Sequence, residues 1–141
     1  MGEVRDLKGI AGKLNKESDA LQEILSTANK KLAELNLGLD VWCNYRHQLL
    51  CEAGRHAWML GYTKVHDGGW CIAVKEIEIR EEEEGSWDTE CEEEPISLLK
   101  APRSVRIAAA EALSDLIDAL KAEAESGVRA IEKAREIADK L

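Results

Sequence analysis

Apolar residues change their spacing twice along this chain of 141 residues, and that change limits the fold more than any other feature. They recur every seven residues at first, alternate with polar residues in the middle, and return to a helical spacing towards the end. A period near 3.6 indicates a helix with one apolar face, and a period of two indicates a strand with one apolar face. The order helix, strands, helix predicts an α+β fold.

The N-terminal helix is indicated by a heptad repeat of apolar residues. Gly9 and Gly12 each weaken a helix interior by about 1 kcal/mol relative to alanine, so firm helix is predicted only over about 14–36. Gly38 is a plausible residue to stop it. The repeat itself consists of Leu7, Leu14, Leu21, Ala28 and Leu35.

Alternation predicts three strands over about 39–45, 56–65 and 70–80. The residues from His66 to Gly69 supply hairpin chemistry, so the consecutive strands are expected to run antiparallel. Along the third strand the apolar residues change phase between Val74 and Ile77. A one-residue slip would turn the buried face outward, which predicts a β-bulge near Lys75.

Pro102 indicates the start of a C-terminal helical segment, since proline is favoured in the first turn of a helix. Gly127 either ends this helix or is carried through it, so one or two helices are expected. The predicted fold is therefore a three-stranded antiparallel meander packed against a long N-terminal helix and one or two C-terminal helices. We expect a single domain over residues 1–141. Tryptophans 42, 58 and 70 are expected to pack in its sheet.

Residues 81–94 hold nine carboxylates and no Lys or Arg, which equals the whole net charge of −9. Like charges at this density repel one another, so a surface loop is predicted. Trp87 lies in the middle of this run, and an aromatic residue among carboxylates suits a basic protein partner. The candidate partner-binding residues are Trp87, Glu83, Glu84, Asp88 and Glu92.

Cys43, His47 and Cys51 are candidate metal ligands, because they are spaced by four and would share one face of a helix. Structural zinc sites usually contain close cysteine pairs, and no Cys-x-x-Cys occurs here. Structural thiols are the favoured interpretation, and no cofactor or metal is expected.

The chain contains no bilayer-length apolar stretch and no signal-peptide pattern, which predicts a cytoplasmic protein without membrane binding. The acidic charge and the lack of a basic stripe argue against nucleic-acid binding. Common catalytic motifs are missing, which favours a non-enzymatic protein over an enzyme.

The predicted function is an interaction or regulatory module that self-associates through its helices, as a homodimer or another homo-oligomer. The alternative is a small-ligand-binding protein or metal-dependent enzyme with a site on the sheet. That site would lie around Trp58, Trp70, Cys71 and the three histidines.

Overall fold

The structure is a computed structural model, and it describes residues 2–43, 51–52, 56–66, 68–81, 87–92 and 94–141. In residues 51, 52, 56, 78–81 and 87–92 only the backbone is described. Helix α1 spans Gly2–Leu35 and helix α2 spans Arg103–Lys140. The strands of the described part are β1 Val41–Trp42, β2 Cys51–Glu52, β3 His56–Val65, β4 Gly69–Glu81, β5 Trp87–Glu92 and β6 Ile96–Ser97. A 3₁₀ turn over Leu98–Lys100 leads into α2.

The sheet has the order β1-β3-β4-β5 and all its described pairs are antiparallel. Strand β2 adds to β3, and β6 adds to β4. The predicted α+β fold is confirmed, with a long helix at each end of the chain and the three predicted strands as neighbours. Short strands at its edges extend the sheet beyond the meander that alternation indicated.

Helix α1 begins at Gly2 and not near Leu14, so the predicted start was wrong. Gly9 and Gly12 cost about 2 kcal/mol together, but their neighbours are good helix formers. Helix growth is also cooperative once the packed half has formed. The helix ends at Leu35, where Asn36 takes a positive φ of 52° and donates its N–H to the Ala33 carbonyl.

Strands β3 and β4 form the central hairpin, and their bounds match the prediction closely. The pairing runs without a break from His56↔Glu78 to Val65↔Gly69, so the predicted bulge near Lys75 was wrong. The register shift lies instead between Glu78 and Ile79, on the side that pairs with β5.

The phase change along β4 arises because both faces of the sheet bury apolar side chains. Ile72 and Val74 belong to the core under the helices. Ile77 packs with Ala57 and the half-buried Met59 in a second cluster. Alternation predicts a slip only when one face is apolar, and that condition fails here.

The main core lies between the sheet and the two helices. Leu25 of α1 and Leu116 of α2 are fully buried there, with Leu60 and Tyr62 from β3. Trp58 and Trp70 pack against this core, as predicted for the sheet tryptophans, and Trp70 stacks on Tyr62 with ring centroids 5.8 Å apart. Burying an aliphatic side chain of this size contributes about 2 kcal/mol, so this layer holds the helices on the sheet.

Trp42 lies on the other side of the sheet, across the backbone of Gly61. A Cβ added to Gly61 would lie 2.7 Å from the Val41 carbonyl oxygen and closer still to ring carbons of Trp42. The Lys75 ammonium lies 4.2 Å from the centroid of the same ring, in cation–π geometry. The absence of a side chain at residue 61 therefore allows the indole to lie flat on the strand.

Helix α2 is continuous from Arg103 to Lys140, so Gly127 is carried through and one helix forms. It meets α1 where Arg103 Nε donates to Ser18 Oγ at 3.1 Å. Close by, Gln22 Nε2 donates to the Leu99 carbonyl oxygen at 3.3 Å. No helix in the described part of the chain combines the length and the apolar composition that crossing a membrane requires.

The acidic segment differs from the predicted loop, because Trp87–Glu92 forms strand β5. Its backbone pairs with β4 from Ile77↔Glu92 to Glu81↔Trp87. Pairing with β4 satisfies the main-chain groups on one side of β5, while charged residues on an edge strand discourage pairing of the other side with other chains.

Candidate functional site

The first half of α1, residues 2–17, is exposed along its whole length, and we call it the N-terminal arm. Its large aliphatic residues Val4, Leu7, Ile10 and Leu14 are between 45% and 67% exposed. Three of them belong to two heptad rows that continue into the packed half of the helix. The rows are Val4, Ala11, Ser18, Leu25 and Leu32, and Leu7, Leu14, Leu21, Ala28 and Leu35. The face that α1 buries against the body thus continues, uncovered, along the arm.

The end of α2, residues 121–141, is the C-terminal arm, and only Ala124 and Gly127 in it are half-buried. From the buried Leu120 onward, a stripe follows in steps of four and three residues, which is the spacing of a coiled-coil seam. Val128, Ile131 and Ile137 on or beside this stripe are between 54% and 62% exposed. The stripe consists of Leu120, Ala124, Gly127, Ile131, Ala134, Ala138 and Leu141.

The two arms leave the body at separate points. The N-terminal arm departs next to Arg103, because Ser18 contacts that residue. The C-terminal arm begins at residue 121, which at 1.5 Å per residue is about 27 Å further along α2. Since both arms are exposed, neither is covered by the other within one chain.

A cleft of about 540 Å³, here called the edge cleft, lies at the beginning of β4, on the side away from β3, where no described strand pairs with Trp70. Helix α1 contributes Asn29 and Lys30 to its wall, and the 3₁₀ turn contributes Lys100. The hairpin turn contributes His66, and Glu94 stands beside β6. Its apolar wall consists of Val65, Trp70, Pro95, Ile96 and Leu99.

Asn29 holds the free edge of β4 against α1. Its Oδ1 accepts the Ile72 N–H at 2.7 Å, in the place where a neighbouring strand would supply a carbonyl. This bond fixes the floor of the edge cleft and ties the packed half of α1 to the sheet.

Comparison with known proteins identifies no relative: no family model, curated protein or solved structure matches this chain. Function is therefore inferred from the residues themselves.

Cys71 lies at the edge cleft and is protonated at neutral pH. Burial raises the pKa of its thiol, while a hydrogen bond with Ser97 and the nearby Lys100 ammonium lower it by less. Because the thiolate is the nucleophilic form, this arrangement does not activate the sulfur.

The residues weighed for zinc do not come together in the described structure. Cys43 is buried in the core under the helices, where burial and the carboxylate of Asp115 raise the pKa of its thiol. His47 and the side chain of Cys51 lie outside what the structure describes. Among the side chains that are described, no group of three or more His, Cys, Asp or Glu is arranged to hold a metal ion.

Four residues of the alternative site on the sheet have described side chains, while the side chains of His47 and His56 lie outside what the structure describes. Trp70, Cys71 and His66 line the edge cleft, whereas Trp58 packs in the core and does not. Asn29, Lys30 and Lys100 complete the cleft and were missed, since no local pattern connects residues from three separate parts of the chain.

The candidate partner-binding residues fall on or near β5. The backbones of Trp87, Asp88 and Glu92 lie in this strand, paired with Glu81, Arg80 and Ile77. Glu83 and Glu84 lie outside the described residues. A basic partner for this segment stays a prediction.

Proposed function

We propose that this protein is a non-enzymatic interaction module that assembles with further copies of itself through its two helical arms. The observation that carries the proposal is the continuity of the apolar stripes. The same rows of α1 that are buried against the sheet at Leu25 and Leu32 continue uncovered on the N-terminal arm. The C-terminal arm repeats this arrangement beyond Leu120.

The spacing of these residues favours another helix as the covering element. Rows repeating every seven residues face a single partner helix and pack knobs into holes. The side chains of the two arms differ in size, because the N-terminal arm presents Leu7 and Leu14 while the C-terminal stripe is rich in alanine. Both surfaces belong to one chain, so a second copy supplies both of them in equal number.

The charge of the arms is compatible with pairing. The N-terminal arm carries four basic and three acidic residues, and the C-terminal arm carries five of each. Neither arm therefore repels a copy of itself or of the other. Burying a half-exposed leucine or isoleucine contributes about 1 kcal/mol, and each contact buries several from two chains.

The test is the mass of the full-length protein in solution, by light scattering or sedimentation, as its concentration rises from about 1 µM to about 100 µM. We expect the unaltered protein to associate. The triple substitution Leu7→Lys, Leu14→Lys, Ile131→Lys should weaken association at least about hundredfold, because it removes apolar contact and buries charge.

The matched control places three lysines on exposed isoleucines away from the arms, in Ile24→Lys, Ile107→Lys, Ile117→Lys. These residues are 57%, 37% and 47% exposed, so the change in charge and in exposed apolar area is similar. The control should associate like the unaltered protein. A monomer at the highest concentration, or equal weakening in both triple variants, would overturn the proposal.

A further inference from the structure

At its beginning, β4 directs main-chain N–H groups away from β3 and towards the edge cleft. The N–H of Ile72 points away from β3, because it bonds to Asn29 on α1. Residues two apart in a strand direct their N–H groups to the same side, so the N–H of Trp70 points the same way. Strand β6 pairs with β4 only at Ala73 and Val74, and no described strand lies beside Trp70 on this side.

The side chains around this edge supply more donors than acceptors. Lys30 on α1, Lys100 on the 3₁₀ turn and His66 on the hairpin turn all line the cleft. Asn29 uses its oxygen for Ile72, which leaves its NH₂ group as a further donor. Glu94 is the single carboxylate among the lining residues that the structure describes.

The rest of the wall is apolar and includes a ring. Trp70 is half-buried and rests on Tyr62, so its position is fixed by packing. Val65, Pro95, Ile96 and Leu99 form the rest of this wall. Ligand sites typically combine such a wall with a few convergent polar groups, in volumes of about 300–1,000 Å³.

From this arrangement we propose that the edge cleft binds a small organic oxyanion, a carboxylate or phosphate group on an apolar body the size of a ring. The anionic group is received by Lys30, Lys100 and the amide of Asn29. The apolar body lies against Trp70. This site lies within one chain, so its occupancy is independent of assembly through the arms.

The test is a titration of the ¹⁵N-labelled full-length protein with benzoate and, separately, with phenyl phosphate, followed by NMR. Benzamide serves as the neutral probe of the same shape. We expect saturable shifts of the Trp70, Cys71 and Ser97 amides with half-saturation near about 1 mM or below, which is usual for ligands of this size. The anion with the lower half-saturation concentration shows whether the site prefers a carboxylate or a phosphate.

The double substitution Lys30→Glu, Lys100→Glu should weaken anion binding at least about tenfold, since two favourable charges become unfavourable. The control Lys31→Glu, Lys121→Glu changes two exposed lysines that do not line the cleft. It should bind within about twofold of the unaltered protein. Both variants alter exposed residues, and their amide spectra verify that the fold is kept.

Three results would overturn the proposal: no saturable shift at about 10 mM of either anion, equal binding of benzamide, or equal weakening in both charge variants. The last would mean that the probes respond only to overall charge.

Discussion

Among the glycines that the structure describes, Gly61 is the one at which an added Cβ would meet the most crowded surroundings. The Val41 carbonyl and the Trp42 ring already fill the position that a Cβ would take. The carbonyl belongs to a paired strand backbone and cannot move freely, and the ring is held between that backbone and Lys75. The position of the Trp42 indole therefore requires a glycine at residue 61 in the neighbouring strand.

Gly61→Ala is expected to lower the free energy of unfolding by about 1 to 2 kcal/mol, because overpacking costs more than the strand gains from alanine. Urea unfolding followed by tryptophan fluorescence measures this change. The control is Gly127→Ala, where nothing lies within 4 Å of an added Cβ. There alanine should raise stability by up to about 1 kcal/mol through its helix propensity. Equal effects at the two glycines would contradict this account of Trp42.

At the scale of the elements, one side-chain amide joins α1 to the edge of β4, in addition to the buried apolar contacts of Leu25 and Leu32. Asn29 satisfies the N–H of Ile72 at a place where the sheet has no further strand. An aliphatic residue there would leave this donor without an acceptor, although it would keep the helix intact.

Asn29→Ala is expected to destabilise the protein by about 1 to 2 kcal/mol, since a partly buried donor loses its partner. Asn29→Asp keeps an acceptor oxygen and should recover most of that loss. Thermal unfolding of the two variants at one pH provides the comparison. Similar losses in both would show that the hydrogen bond contributes little.

The sequence predicted the elements well where local chemistry acts alone. The bounds of β3 were found because alternation and the His66–Gly69 turn agree. The start of α1 was missed because local glycine penalties were weighed without the cooperativity of a long helix. The bulge near Lys75 was wrongly inferred because the second apolar cluster around Ile77 depends on tertiary packing.

The edge cleft could not be predicted, because it joins residues near positions 30, 66 and 100 through the topology of the chain. The arms were partly foreseen, since the heptad rows are visible in the sequence. The sequence does not show which half of each helix is buried, because this depends on how far the sheet extends beneath the helix.

At the scale of the whole molecule, three of the side chains that the structure describes couple stability to alkaline pH. Burial raises the pKa of Cys43 and Cys71 above the ordinary value of 9.0, and that of Tyr62 above 10.0. The folded protein thus keeps these protons to a higher pH than the unfolded chain does. Above about pH 9 the unfolded state binds fewer protons, so stability falls as pH rises.

We expect the urea midpoint to fall between about pH 8 and pH 10, and to fall less in Cys43→Ala, Cys71→Ala, because two of the three groups are removed. The slope against pH, and not the absolute midpoint, is compared, since alanine also removes packing. Parallel slopes in the two proteins would argue against this linkage.

In the proposed assembly, the two arms leave the body about 27 Å apart along α2, so each chain offers two separate contact surfaces. If each arm pairs with the same arm of another chain, every chain has a neighbour at both arms and the assembly grows as a linear polymer. If instead the N-terminal arm of one chain pairs with the C-terminal arm of another, two chains can close into a ring. In the linear case, a chain with one arm blocked can add to a polymer but cannot extend it. The proportion of such blocked chains would therefore control polymer length.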